Sequence, residues 1–163
     1  MKPIIAANWK MNFTPKEGLR LIDDIISQPI SSDVDIIFFP SFVSLSLVSD
    51  KLLNSPYSIG GQNIFHKENG AFTGEISASM LKALDVQYVI IGHSERRQFF
   101  HENDTQINNK IHLALKAELI PIICIGESLQ ERKNEQTDLV LKEQLTSAFK
   151  NIGLDNQKNI IVA

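Results

Sequence analysis

The sequence predicts an α/β fold built on a parallel sheet. Short apolar, β-branched runs alternate with longer amphipathic segments. The runs begin at intervals of roughly 20 to 40 residues, the size of one βαβ unit. Most of them are apolar almost throughout, as strands covered on both faces are.

Taken in order, the runs predict strands at 3–8, 34–40, 57–62, 88–92, 120–125 and 159–163. Between the first two, Thr14-Pro15-Lys16-Glu17 reads as a capping box with proline at the first helical position. Leu19, Ile22 and Ile26 then share a helical face. Residues 41–54 and 77–85 predict shorter helices with weaker periodicity. Asp104 is placed to cap a helix bearing Ile107, Ile111, Ala114 and Leu115. Ser128-Leu129-Gln130-Glu131 is a second capping box. The stripe Leu141, Leu145, Ala148, Phe149 and Ile152 predicts a helix that Gly153 ends. The order is β-α five times and then a strand, within one domain over residues 1–163. It leaves open whether the sheet closes into a barrel or stays doubly wound. A flavodoxin-like domain fits the length, but Asn-Trp-Lys-Met-Asn follows the first strand, where such domains carry a Gly- or Ser/Thr-rich phosphate turn.

Bulk properties exclude several classes of function. The 163 residues are 43% hydrophobic and 21% charged, with 16 basic against 19 acidic side chains and a net charge of −3. That mixture offers no basic patch for nucleic acid and no polybasic membrane anchor. One cysteine, Cys124, excludes an internal disulfide and a cysteine-based zinc site. No apolar run reaches membrane-span length. A cytoplasmic protein is the expectation.

The candidate chemistry follows two of the predicted strands. Asn8 and Lys10 come after the first, and His93, Ser94 and Glu95 after the fourth. In a parallel sheet these positions share the C-terminal edge. An amide, a lysine, an imidazole and a carboxylate at one edge suit polarisation of a carbonyl or capture of an anion. His93 stands just before a helix start, where the macrodipole disfavours its charged form. Glu95 is placed to hold Lys10 or to shuttle a proton. Each residue also has a structural reading: a satisfied histidine, a solvated lysine, a carboxylate at a helix start. Arg96 and Arg97 read as partners of acidic surface residues, and Cys124 as a small buried hydrophobe. The four histidines show no metal-ligand spacing, so no metal is expected. The long 63–76 connection holds Phe65 and Phe72 on no evident face. It reads as a protrusion that docks on a partner subunit, or else as a self-packed loop.

Five segments resemble the triosephosphate isomerase family in order and spacing: Ala7-Asn8-Trp9-Lys10-Met11-Asn12, Gly61-Gln62-Asn63, Gly70-Ala71-Phe72-Thr73-Gly74-Glu75-Ile76-Ser77, Ile91-Gly92-His93-Ser94-Glu95-Arg96-Arg97 and Cys124-Ile125-Gly126-Glu127. The resemblance implies a (β/α)8 TIM barrel, of which these residues supply the first six strands. It implies interconversion of dihydroxyacetone phosphate and D-glyceraldehyde 3-phosphate in glycolysis and gluconeogenesis, with no cofactor. Asn8, Lys10 and Ser94 then contact the phosphorylated triose. His93 becomes a neutral electrophile, a role for which this family is itself the usual illustration. Glu95 orders Lys10. Phe72, Thr73 and Gly74 reach the other subunit of a homodimer.

The family's catalytic base is a glutamate in a Tyr-Glu-Pro-Val-Trp-like run after the sixth strand. This sequence reaches Asn159-Ile-Ile-Val-Ala163 where that run begins, so no residue here is assigned as the base. Little or no turnover is expected of the 163 residues alone. The alternatives are an inactive fragment held by association, and an open flavodoxin-type sheet of strand order 2-1-3-4-5.

Overall fold

The computed structural model describes residues 2–28, 31 and 33–163. Six parallel strands form one sheet: β1 (Ile4–Asn8), β2 (Asp35–Phe39), β3 (Ser58–Gly61), β4 (Tyr88–Ile91), β5 (Ile120–Ile123) and β6 (Ile161–Val162). Their spatial order is their chain order, 1-2-3-4-5-6. That order rejects the flavodoxin arrangement and gives six consecutive strands of a (β/α)8 barrel. All six expected strands are present, each shorter than its apolar run. The register pairs Asn8 with Phe39, and Ile91 with Ile123, so the strand ends lie along one edge.

Alternation along the strands divides the core in two. Phe38, Ile59, Val89, Ile91 and Ile123 join the apolar faces of the helices in the larger cluster. Ile37, Phe39, Ile90 and Ile122 form a smaller cluster, with Cys124 against it. The expectation of full two-sided burial fails at β1. Among the described residues β1 pairs with β2 alone, and Ile5 is 53% exposed.

The helices are α1 (Pro15–Ile26), α2 (Phe42–Leu52), α3 (Ala78–Lys82), α4 (Ser94–Phe99), α5 (Asp104–Lys116), α6 (Leu129–Lys133), α7 (Thr137–Ala148) and α8 (Leu154–Gln157). The capping boxes at Thr14 and Ser128 are both formed. Four sequence expectations need correction. The buried face of α1 runs through Gly18 and Ile22, leaving Ile26 at the exposed margin. Asn103, not Asp104, caps α5, through a capping box with Gln106. Asp104 is freed to bind Arg97. Phe149 closes α7, and Gly153 instead starts α8, with extended rather than left-handed φ. Arg96 meets Glu102, which is buried rather than on the surface.

Candidate active site

Trp9 follows β1 and fixes the chain there. Its N–H donates to the Phe39 carbonyl at 3.1 Å, and its ring lies flat on Gly18 of α1. A Cβ at position 18 would come within 2.6 Å of the Trp9 ring, so only glycine admits this contact. The next residue, Lys10, takes a left-handed backbone with φ of 56°. For a lysine this costs on the order of 1 kcal/mol or more, and it persists only where the surroundings impose it. Three bonds do so. The Lys10 N–H donates to Asn8 Oδ1 at 3.0 Å, and its carbonyl accepts from Gln62 Nε2 at 2.9 Å. Its ammonium donates to Glu95 Oε1 at 2.6 Å. The same Gln62 amide nitrogen also donates to the Phe39 carbonyl at 2.9 Å, tying the first three strand ends together.

On the other side, β4 ends at Ile91, and Gly92 turns the chain with φ of 74°. His93 is the N-cap residue of α4. Its Nδ1 accepts from the Glu95 N–H at 3.2 Å, and it also lies 3.5 Å from Glu95 Oε2. These two contacts demand opposite protonation. A backbone N–H can only donate, so the shorter contact requires a bare Nδ1. Glu95 already turns its other oxygen to Lys10. The hydrogen-bond pattern therefore places the imidazole proton on Nε2. The hydrogen bond from Lys10 is the chief reason that the Glu95 carboxyl sits below the usual carboxylate range, with the Lys10 charge adding to it. Both partners of this pair are about half exposed, so water screens much of the attraction.

Lys10, Asn8, His93 and Glu95 thus meet, although Lys10 and Glu95 are 85 residues apart. Ser94 is the first residue of α4 and is exposed. Cys124 lies one residue past β5 rather than inside it. Its N–H donates to the Ile91 carbonyl at 2.9 Å, and burial pushes its thiol up. Phe72, Thr73 and Gly74 stand elsewhere, on a loop closed at its root by the Phe65 N–H donating to the Ile76 carbonyl at 2.8 Å. The Phe65 and Phe72 rings pack on each other at 4.6 Å, yet Phe72, Thr73 and Gly74 remain exposed.

A cavity of about 610 Å³ opens between this loop, α3 and α5. Phe65, Phe72, Met80 and Leu113 line it, and no residue of the Lys10–His93 edge does. Among the described residues no group of His, Cys, Asp or Glu side chains could hold a metal ion, and no helix is long and apolar enough to cross a membrane.

Sequence reasoning missed Gln62 as the bridge between strand ends. Its signal was position: it directly follows β3, at the edge shared with Asn8 and His93. Glu102 carried no comparable signal, whereas Lys110 shares the helical face of Ile107, Ile111 and Ala114 and so was readable as buried.

The sequence profile of the triosephosphate isomerase family matches residues 3–163. The chain belongs to that family. A triosephosphate isomerase of Alkaliphilus metalliredigens is 49% identical over 162 residues, covering 99% of this chain and 65% of the relative. The protein of the same name from Alkaliphilus oremlandii is 46% identical, and that from Thermoanaerobacter pseudethanolicus 42%, with the same coverage. The chain therefore spans about two-thirds of the length of these curated relatives, 65% in each case. Five motifs seen in the sequence, the strand order and the profile all lead to this one family.

Proposed function

We propose that the protein is a triosephosphate isomerase that interconverts dihydroxyacetone phosphate and D-glyceraldehyde 3-phosphate by proton transfer through an enediolate. The observation that carries this reading is the convergence of Lys10 and His93 on one carboxylate, Glu95, at the C-terminal edge of the sheet.

The reaction removes a proton from carbon next to a carbonyl, and negative charge then develops on the carbonyl oxygen. His93 donates its Nε2 proton in a hydrogen bond to that oxygen, because Nδ1 is engaged by the Glu95 N–H. Lys10 stabilises the enediolate and phosphate charges with a fixed ammonium. Glu95 holds that ammonium in place. The Asn8 side-chain oxygen is occupied by the Lys10 N–H, which leaves its NH₂ for the substrate. Ser94 adds an exposed hydroxyl at the start of α4. These residues supply the polarising half of the chemistry, and the family resemblance puts the base on a glutamate after the sixth strand. No metal or organic cofactor enters the scheme.

The reading extends to a cytoplasmic homodimer built as one domain per subunit. The exposed Phe72-Thr73-Gly74 tip reaches the second subunit. Met11, Phe13, Phe99 and Phe100 are also exposed and support a covered apolar surface. Neither nucleic acid nor a membrane is a partner.

A coupled isomerisation assay on the protein extended past the sixth strand, so that the base is present, tests the site. Lys10→Ala is expected to lower kcat/KM by about 10²- to 10³-fold, the usual loss when a preorganised charge stabiliser is removed, with an unchanged circular dichroism spectrum. Turnover near that of the wild type in this variant refutes the assignment. Light scattering that returns a monomer mass at micromolar concentration refutes the dimer.

A further inference from the structure

Among the described residues two charged side chains are buried, Glu102 at 8% exposure and Lys110 at 2%. Glu102 Oε1 accepts from both Lys110 Nζ and Arg96 Nε, while Glu102 Oε2 is buried without a partner. The Lys110 ammonium also donates to Asn63 Oδ1 at 2.7 Å. Burying such a pair is a poor way to gain stability, since desolvation consumes most of the attraction. Burial indeed outweighs the Glu102 contact at Lys110 and pulls its pKa below the usual lysine value.

What the cluster joins is informative. Asn63 directly follows Gln62, which holds the Lys10 backbone carbonyl. Arg96 directly follows Glu95, which holds the Lys10 ammonium. One buried carboxylate therefore clamps the two segments that grip Lys10 from opposite sides.

We propose that Glu102 and Lys110 are positioning residues: they fix the Gln62-Asn63 segment against the Glu95-Arg96 segment, and so set Lys10 and the His93 turn in their working geometry. The inference rests on the isomerase reading of the site. Neither residue touches the substrate, so their effect passes through Lys10 and His93.

The decisive variant is Glu102→Gln/Lys110→Met, which removes the clamp without stranding a buried charge. Its thermal midpoint, the ¹⁵N signals of the His93 imidazole and Lys10 ammonium, and its kcat and KM are compared with those of the wild type. The expected result is a folded protein with shifted His93 and Lys10 signals. Its kcat falls about tenfold, within the range that small misplacements of catalytic groups produce, and KM changes little. A folded double variant with wild-type signals and wild-type kcat overturns the proposal, because it reduces the pair to a structural role. Should the double variant fail to fold, Arg96→Met carries the same readouts, since Arg96 is only partly buried. If the wild-type protein does not isomerise triose phosphates, the functional reading falls, and the His93 and Lys10 signals alone decide the positioning proposal.

Discussion

The two strands that carry the site are held by different means. β4, which delivers His93, lies between β3 and β5, and its Val89 and Ile91 are fully buried. β1, which delivers Asn8 and Lys10, pairs among the described residues with β2 alone, and Ile5 lies largely in solvent. Packing on both sides thus fixes the strand that leads to His93, and the Glu95 N–H holds its imidazole. Lys10 instead depends on directional bonds from Asn8, Gln62 and Glu95, which force a backbone shape that lysine does not favour. The Lys10 backbone is thus held by bonds from its own turn and from across the sheet edge, whereas the His93 turn follows a strand paired on both sides.

The largest test of this contrast is Ile91→Ala against Ile5→Ala in urea unfolding. Emptying a fully buried site on β4 is expected to cost about 2–5 kcal/mol, whereas the β1 substitution stays within about 1 kcal/mol. Equal losses would break the comparison. Gln62→Ala comes next. It removes two hydrogen bonds to carbonyls and is expected to cost about 1–2 kcal/mol. Turnover falls as Lys10 relaxes, while the His93 ¹⁵N signals keep the Nε2–H pattern. A changed His93 tautomer would show that the two sides are not held independently.

The smallest effect is electrostatic. The Glu95 carboxyl titrates below 4.5, chiefly through the Lys10 hydrogen bond. Because its folded value is depressed, the stability it contributes is present above about 4.5 and is lost as pH falls through the folded value. Lys10→Met is expected to return the ¹³C titration midpoint of Glu95 towards the ordinary value. An unmoved midpoint would mean that Lys10 is not its principal partner in solution.

Much of this was legible in the sequence. Apolar runs located all six strands, since a strand covered on both faces has few polar positions to disguise it. Local signals such as the Thr14 box read correctly because the cap and its partner lie three residues apart. Asp104 misled because Asn103 beside it is an equally good cap, and the choice was settled by Arg97 drawing Asp104 away. Gly153 misled because glycine also serves as an N-cap. Lys10 and Glu95 were readable as a pair once both were placed at one sheet edge. The left-handed turn at Lys10 was not, because it is imposed by Gln62, more than fifty residues away. Glu102 was hidden for a similar reason: its burial comes with Arg96 and Lys110, which close on it in the fold.

The sequential strand order also bears on how the molecule comes into being. Each of β2 to β6 pairs with the strand synthesised just before it, so this run of the sheet can be laid down in step with translation. The site keeps a later schedule. Lys10 emerges first and remains without its carboxylate until Glu95 leaves the ribosome, 85 residues afterwards.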